Sequence, residues 1–331
     1  MNRYLGHPSQ ISGIDEVTLA KGKGKGMTLL EIRNGKGLHI TLSADRCMDI
    51  PRITYNGANM GFFAPCGYVA PAFYDNKGEG FLKSFNAGFL TTCGFDEVGV
   101  PCTDDGEELP LHGTIANTPC ENYYYTENDS EITVTAFVRD ASLFGQKYLL
   151  ERNYIISKEE NTFTIKDSIK NIDSKTRPCM ILYHMNMGYP LLSENALVVI
   201  PNNSVTGRNK HAKVDVENCL KMEKPQAGYE ERCYYYDVKA KDNVAKVGIY
   251  NPDIKKGLVI QYPKNTLDFF TEWKMMGTTE YVLGLEPSNC TPDGRDSARK
   301  NKILKFLKPD ETYDTFVKIN FTESEKEVAD I

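Results

Sequence analysis

The sequence predicts an all-β fold of antiparallel strands, because apolar residues recur with a period of two and short polar turns separate the runs. Helical signals are weak, and only the stretch EKPQAGYEERCYYY (223–236) is expected to hold a turn or two of helix. Two connections, NGKG (34–37) and SKEEN (157–161), read as hairpin turns. These features together favour a large antiparallel sandwich or barrel over alternating β and α units.

Five stretches justify the strand prediction individually, because each is short and rich in β-branched and aromatic residues. In chain order they are EITVTAFVRD (131–140), YLLERNYIIS (148–157), NTFTIKDSIKN (161–171), KGLVIQYP (256–263) and TYDTFVKINF (312–321). Neither a linker rich in Pro, Ser and Gly nor a fixed repeat interrupts the chain, so a single domain over residues 1–331 is the simpler interpretation.

The composition is that of a globular protein without a polyanionic partner. Of the 331 residues 25% are charged, and the formal net charge is −6, which argues against a nucleic-acid surface. The alternating Lys-Gly run at 21–26 suits a solvated turn better than a phosphate cradle. No run of 18 apolar residues and no signal peptide is recognisable, so we expect a cytoplasmic protein that does not bind membranes.

Cysteine and metal chemistry find little support in the sequence. Nine cysteines are scattered without a CxxC pair, and their odd number favours free thiols over a disulfide framework. His112, His184 and Glu286 could supply three metal ligands, but neither HExxH nor clustered Cys/His spacing is present. We therefore predict no metal, and the absence of GxGxxG and P-loop patterns likewise predicts no cofactor.

The segment from about residue 56 to 122 differs from the rest because Gly, Pro and aromatic residues dominate it. Long ordered loops of this kind often carry binding sites. Within it, His112 precedes Gly113 between two prolines, a setting that fixes the backbone and can present an imidazole to a cleft. A loop histidine bonded to a nearby carbonyl is the alternative interpretation.

One apolar strand carries two polar side chains on the same face. In ILYHMNMGYPLL (181–192), His184 and Asn186 share a face because side chains alternate along a strand. Such a pair is costly on a buried face unless it is satisfied internally or meets a polar ligand. Glu286 ends a second apolar run, in VLGLEPSN (282–289), where partial desolvation would raise its pKa into the range useful for proton abstraction.

Taken in order, these segments resemble the aldose 1-epimerase (galactose mutarotase-like) superfamily. The resemblance rests on LHGTIANTP, on TFTIKDSIKNIDSKTRPCMILYHMNMGYP and on VLGLEPSN, with further support from LSADRCMDI, FNAGFLTTCGFDEVG and EPSNCTPDGR. It covers most of residues 25–320 and is closest to an uncharacterised bacterial branch. The resemblance implies a large antiparallel β-supersandwich with a sugar cleft on a concave face.

The resemblance also implies the roles of four residues. Glu286 would be the general base that removes the proton of the anomeric hydroxyl, and His184 the general acid that protonates the ring oxygen. His112 would hold hydroxyls or polarise the ring oxygen, and Asn186 would contact the substrate beside His184. A base and an acid on opposite sides of one hemiacetal suffice for this chemistry, so no cofactor is implied.

The chain also departs from the superfamily pattern, and five more residues become candidate sugar contacts as a result. Family members often have Arg after the His-Gly pair, where this chain has Thr114. Arg46 could replace that arginine and would favour an anionic sugar, unless it forms a structural ion pair with Asp45. The other candidates are Trp273 with Lys274 beside it, and Asn289 and Arg295, which closely follow the base. Trp273 could be a stacking platform, and a core tryptophan is the alternative interpretation.

The leading hypothesis is a cofactor-independent sugar 1-epimerase (mutarotase) acting on an aldose or on a modified or acidic sugar. The first alternative is a noncatalytic carbohydrate-binding or sensing domain on the same scaffold. The second is a lyase or isomerase that abstracts a proton next to a carbonyl in the same cleft. The presence of both His184 and Glu286 favours an enzyme.

Overall fold

The computed structural model describes residues 3–331 and is 49% strand and 10% helix. Its strands are β1 (Gly13–Thr18), β2 (Thr28–Arg33), β3 (Leu38–Ser43), β4 (Asp49–Tyr55), β5 (Ala58–Asn59), β6 (Phe62–Phe63), β7 (Ala87–Gly88), β8 (Leu90–Phe95), β9 (Cys102–Asp104), β10 (Glu107–Leu109), β11 (Cys120–Glu127), β12 (Glu131–Ala141), β13 (Lys147–Ser157), β14 (Thr162–Asn171), β15 (Arg177–Pro178), β16 (Met180–Met187), β17 (Leu197–Val199), β18 (Asn202–Gly207), β19 (Arg232–Val238), β20 (Ala240–Lys241), β21 (Val244–Asn251), β22 (Lys256–Pro263), β23 (Phe269–Met276), β24 (Tyr281–Ser288), β25 (Phe306–Leu307) and β26 (Thr312–Thr322). The α-helices are α1 (Lys210–Val214), α2 (Arg295–Lys300) and α3 (Glu325–Ala329), and short 3-10 helices span Pro8–Gln10, Pro71–Phe73, Gly80–Lys83, Ile115–Asn117 and Val216–Asn218.

Two large antiparallel sheets make up the body of the fold. One has eleven strands in the order β1-β2-β3-β4-β8-β16-β24-β23-β19-β18, with β5 paired to β4. The other has nine strands in the order β11-β12-β13-β14-β26-β22-β21-β17, with β20 paired to β21. This architecture confirms the prediction of a large antiparallel β-supersandwich.

All five stretches quoted as strands form β12, β13, β14, β22 and β26, and both predicted hairpin turns join neighbouring strands of one sheet. The expectation of helix in residues 223–236 is wrong. Residues 223–231 form no helix, and β19 begins at Arg232. Three consecutive tyrosines there favour a strand. All nine cysteines are free thiols, as predicted.

The alternation of side chains along β16 separates the hydrophobic core from the other face of the eleven-stranded sheet. Ile181, Tyr183, Met185 and Met187 belong to the main hydrophobic core, which includes residues of both large sheets. The intervening residues, His184 among them, point to the opposite face, which the long loops cover. The whole strand is therefore buried, although its two faces have different surroundings.

A buried charge network joins the two sheets behind β16. Arg152 on β13 is fully buried, and its guanidinium donates to Asp167 on β14 at 2.7 Å and to Asp49 on β4 at 2.8 Å. The Tyr183 hydroxyl also donates to Asp167, at 2.7 Å. Removing one member of such a network leaves uncompensated buried charge, which costs more than the network adds. Arg152 therefore fixes how the sheet that carries β16 sits on its partner.

We predict that Arg152→Met lowers the free energy of unfolding by about 3–5 kcal/mol, because Asp49 and Asp167 would keep buried charges without a cation. The matched control is Arg139→Met, because Arg139 pairs with Glu121 across neighbouring strands in an exposed setting. That change should leave the free energy of unfolding nearly unchanged, because an exposed ion pair contributes little to stability. Urea unfolding midpoints measure both effects, and equal midpoints for the two variants would contradict the assignment.

Within residues 3–331, no helix combines the length and the apolar character that a membrane-crossing helix needs.

Candidate active site

The candidate site is centred on two residues that face each other across neighbouring strands. The register that pairs Leu182 with Ser288 and Met185 with Leu285 places His184 of β16 opposite Glu286 of β24. Nδ1 of His184 lies 3.2 Å from Oε1 of Glu286. The contact lacks the angular geometry of a hydrogen bond, and neither atom has another partner. The imidazole and the carboxyl group therefore lie side by side, which corrects the expectation that they stand on opposite sides of a sugar.

Burial shifts the pKa values of both members of this pair. His184 is 5% exposed and Glu286 2% exposed, and no Lys or Arg among residues 3–331 forms an ion pair with the carboxyl group. Desolvation is the main cause that raises the pKa of Glu286 well above its ordinary value, and Glu231 adds to the effect while Arg208 opposes it. Desolvation also lowers the pKa of His184 well below its ordinary value, assisted by His112. The pair therefore favours a neutral carboxylic acid beside a neutral imidazole.

Gly284 makes room for the carboxyl group. It precedes Glu286 by two residues on the same face of β24, and it pairs with Trp273 of β23. A Cβ atom at this position would lie 2.3 Å from Oε1 of Glu286 and 3.0 Å from Cβ of Trp273. The glycine thus allows Glu286 to fold back over its own strand beside the tryptophan.

His112 approaches the pair from the loop after β10. Its backbone has a φ of 60°, and the following Gly113 has a φ of 70°, so both residues adopt the left-handed conformation. A Cβ atom on Gly113 would lie 2.3 Å from the carbonyl oxygen of Gly94 in β8, so only glycine fits this close approach. The ring of His112 packs edge-on against that of His184, with 5.5 Å between the ring centroids.

The hydrogen bonds of His112 define which of its nitrogens can reach a ligand. Its backbone N–H donates to the Gly99 carbonyl at 2.9 Å, and the Gly99 N–H donates to Nδ1 at 3.3 Å. Nδ1 is thus an acceptor, and Nε2 carries the proton of the neutral ring. Desolvation, with a contribution from Arg208, lowers the pKa of His112 to about 4, which keeps the ring neutral near pH 7.

A cavity of 230 Å³, which we call the inner cavity, opens over these three residues. A single buried water needs only about 10–15 Å³, so this space holds a small polar molecule. Its apolar walls include Phe81, Phe85 and Trp273, and Trp273 packs edge-on against His184 with a centroid distance of 5.2 Å. The Gly-, Pro- and aromatic-rich loops of residues 56–122 thus contribute His112 and much of the wall of this cavity.

The structure adds two polar residues that the sequence analysis missed. Arg208, one residue beyond β18, lines the inner cavity, and its Nε donates to Asp293 at 3.0 Å. Glu231 also lines the inner cavity and accepts a hydrogen bond from Nε1 of Trp273 at 2.7 Å. Their one sequence signal is position, since each flanks a strand of the eleven-stranded sheet. The cation of the cavity is therefore Arg208.

Arg46 was expected in this cleft, and the structure places it elsewhere. The Arg46 guanidinium is buried and donates to the carbonyl oxygens of Ala116 at 3.0 Å and of Ser84 at 2.5 Å. Asp45 accepts from the N–H of Thr28 instead of pairing with Arg46. Both predictions for Arg46, the ligand contact and the ion pair with Asp45, are therefore corrected: its charge organises loop carbonyls.

Lys274 also lies away from the cavity, for a reason that the strand geometry supplies. Its neighbour Trp273 faces the cavity, so Lys274 points to the opposite face of β23. There its ammonium group is buried and donates to the carbonyl oxygens of Lys221 at 2.6 Å and Asn218 at 3.2 Å. The prediction that both residues line the cleft is corrected for Lys274.

Asn289 and Arg295 follow Glu286 in sequence but have structural partners. The Asn289 side chain accepts from Ile181 N at 2.8 Å and donates to the Cys179 carbonyl at 2.9 Å, which ties β24 to the start of β16. The Arg295 guanidinium is buried and donates to Asp104 at 2.7 Å. Neither borders the inner cavity, so their predicted roles as cleft residues are corrected as well.

Asn186 lies on the face of His184, as the alternation of side chains predicts. Its Nδ2 donates to the His184 carbonyl at 2.9 Å, and its Oδ1 is buried without a hydrogen-bond partner. Asn186 does not itself border the inner cavity, so its predicted role as a substrate contact is corrected. Thr114, where relatives have Arg, donates its hydroxyl to Asp140 at 2.8 Å. Among residues 3–331, no group of three or more His, Cys, Asp or Glu side chains is arranged to hold a metal ion.

The fold is the one shared by aldose 1-epimerase and galactose mutarotase-like proteins. By sequence, the chain belongs to the DUF4432 family, a domain of unknown function whose sequence model matches residues 24–321. A comparison with curated proteins finds no match.

Solved structures carry the same fold. A protein from Klebsiella pneumoniae described as a "putative aldose 1-epimerase" is 28% identical and superposes with a TM-score of 0.90, over 96% of this chain and 85% of that chain. A galactose mutarotase-like protein from Clostridium acetobutylicum is 13% identical with a TM-score of 0.70, over 94% and 99%. Galactose 1-epimerase from Lactobacillus acidophilus is 11% identical with a TM-score of 0.63, over 94% and 98%. The last two similarities concern the fold alone.

Proposed function

We propose that the protein is a sugar 1-epimerase, which interconverts the α and β anomers of an aldose by acid–base catalysis with Glu286 and His184. The observation that carries this proposal is the desolvated contact of 3.2 Å between an imidazole and a carboxyl group at the floor of a cavity. The similarity to the Klebsiella protein supports the same reaction class.

The side-by-side arrangement suits a hemiacetal. The anomeric hydroxyl oxygen and the ring oxygen are bonded to the same carbon, so an acid and a base that act on both must be close neighbours. Nδ1 of His184 and Oε1 of Glu286 are sealed from solvent. Nε2 of His184 and Oε2 of Glu286 are therefore the atoms that can reach a sugar in the cavity.

In the proposed reaction, Glu286 takes the proton of the anomeric hydroxyl while His184 protonates the ring oxygen. The bond between the anomeric carbon and the ring oxygen breaks, and its electron pair goes to that oxygen as the carbonyl forms. Rotation about the bond between the first two carbons precedes closure on the other face. In closure Glu286 returns its proton and His184 takes one back, so each group ends as it began.

The pair holds one transferable proton, which can sit on either partner. A carboxylate with an imidazolium and a carboxylic acid with an imidazole contain the same number of protons. Burial favours the neutral form of the pair in the absence of ligand, whereas sugar hydroxyls donating to the carboxylate would stabilise the charged form. In this proposal, Nε2–H of His112 donates to a sugar oxygen beside them.

Glu286→Gln and His184→Asn should each lower the rate of anomer interconversion by about 10²–10⁴-fold, because each removes one proton-transfer group. The measurement is the approach to equilibrium of freshly dissolved aldoses, followed by polarimetry or NMR and corrected for the spontaneous rate.

The matched control for the first variant is Glu272→Gln. Glu272 is also fully buried, and it lies one residue from Trp273 on the opposite face of β23. The hydroxyl of Tyr236 donates a hydrogen bond to Glu272, and a glutamine side-chain oxygen can still accept that bond. Wild-type protein that matches the spontaneous rate for every aldose tested would contradict the proposal, as would equal losses for Glu272→Gln and Glu286→Gln.

The pH dependence of kcat/KM should be bell-shaped, because activity requires one proton on the pair. The acid limb should lie below pH 6.5, since protonation of His184 adds a second proton and its pKa is lowered. The alkaline limb should lie above pH 4.5. Activity is lost there because Glu286 gives up the one proton of the pair, and the pKa of Glu286 is raised. Both limbs report apparent values of the coupled pair. An acid limb at or above pH 6.5 is incompatible with this assignment.

A further inference from the structure

A second cavity, which we call the outer cavity, lies next to the inner one and has a volume of 260 Å³. Four residues line both cavities: Leu82, Phe85, Glu231 and Trp273. The proposed acid–base chemistry uses none of the groups that belong to the outer cavity alone. Because the two cavities share these walls, a ligand bound in the inner cavity can extend into the outer one.

The strand register places the outer cavity at a defined distance from the acid–base pair. On the loop-covered face of β24, Glu286, Gly284 and Val282 follow one another, and Val282 pairs with Met275 of β23. Four residues of extended strand span about 13 Å, so a single six-membered ring bound at Glu286 does not reach Val282. A molecule of two linked rings does.

The walls of the outer cavity are apolar although they face solvent. Phe62, Trp273 and Met275 are each partly exposed, and Leu82 at the rim is 55% exposed. A cluster of exposed aromatic and aliphatic side chains next to a polar site indicates a binding surface. Aromatic side chains combine a large apolar face with low conformational entropy, which suits the flat apolar face of a sugar ring.

The charged groups of the outer cavity are carboxylates, which carry negative charge and accept hydrogen bonds. Glu231 and Glu280 both line it and are both exposed. Carboxylates accept hydrogen bonds from hydroxyl groups and repel anions. Arg208 lines the inner cavity and does not line the outer one. The charge pattern therefore favours an uncharged polyhydroxy group over a phosphorylated or carboxylated one.

We propose that the outer cavity is a second sugar subsite, so that the protein acts on the reducing end of an uncharged disaccharide whose other ring packs against Phe62, Trp273 and Met275. This inference deepens the proposed function and rests on it. The reducing-end ring occupies the inner cavity with its anomeric carbon at Glu286 and His184. The second ring is attached on the side away from that carbon, which leaves the anomeric hydroxyl free to react.

The test compares kcat/KM for anomer interconversion of cellobiose and maltose with that of glucose, in wild type and in Met275→Glu. Losing apolar contact and adding charge in the outer cavity should lower the disaccharide values by about tenfold. The glucose value should change by less than twofold, because Met275 does not border the inner cavity. Leu143→Glu is the matched control, since Leu143 is 80% exposed and lines neither cavity.

Equal effects of Met275→Glu on glucose and on both disaccharides would overturn the subsite, as would no effect on any of them. Phe62→Ser replaces Met275→Glu if that variant loses its circular dichroism spectrum. Glucose 6-phosphate accepted as well as cellobiose would overturn the preference for an uncharged ligand.

Direct binding separates this inference from the failure of the proposed function. If wild type accelerates no sugar, ligand-observed NMR with cellobiose still reports on the outer cavity. Binding that is lost in Met275→Glu and kept in Leu143→Glu supports the subsite in a noncatalytic protein. No binding of cellobiose by wild type overturns the subsite outright.

Discussion

The proposed chemistry depends on the desolvated contact between His184 and Glu286 across neighbouring strands, where no Lys or Arg among residues 3–331 pairs with the carboxylate. In water the two groups would form a hydrated ion pair, but burial penalises both charges and therefore favours their neutral forms. A pair held near neutrality can exchange a proton with a substrate in either direction, which is what a reversible reaction needs. Gly284 and the aromatic walls serve this contact, since the first gives the carboxyl group space and the second exclude water.

The sheet gives the pair its precision. Side chains that meet across an antiparallel ladder are held by backbone hydrogen bonds on both strands, so the imidazole and the carboxyl group cannot drift independently. On the other face of β16, Tyr183 joins the buried network of Arg152 and Asp167, which anchors the strand to the second sheet. The loops add His112 and the apolar walls. The proposed chemistry thus rests on rigid strands, whereas the proposed recognition is shared with loops.

The sequence predicts much of this arrangement, because a period of two is enough to place His184 and Asn186 on one face. The expectation that Glu286 ends its strand is corrected, since β24 continues to Ser288. The same rule shows why one prediction failed: Trp273 and Lys274 are adjacent in a strand, so both could not face one cavity. Arg208 is the cation that lines the inner cavity, where Arg46 was expected. Which arginine lies there depends on which loops and strands meet in three dimensions. The register of β18 against β19, which brings Arg208 to the site, joins residues far apart in the chain and leaves no local pattern.

The most direct test of the central claim asks where the proton of the pair resides. Infrared difference spectra between wild type and Glu286→Gln, both without ligand at neutral pH, isolate the Glu286 carboxyl group from Glu97, Glu272 and Asp140, whose pKa values burial also raises. If desolvation keeps Glu286 protonated, wild type shows the carbonyl stretch of a carboxylic acid, and Glu286→Gln lacks that band. A difference spectrum that contains only carboxylate bands would contradict the claim that desolvation keeps this pair neutral.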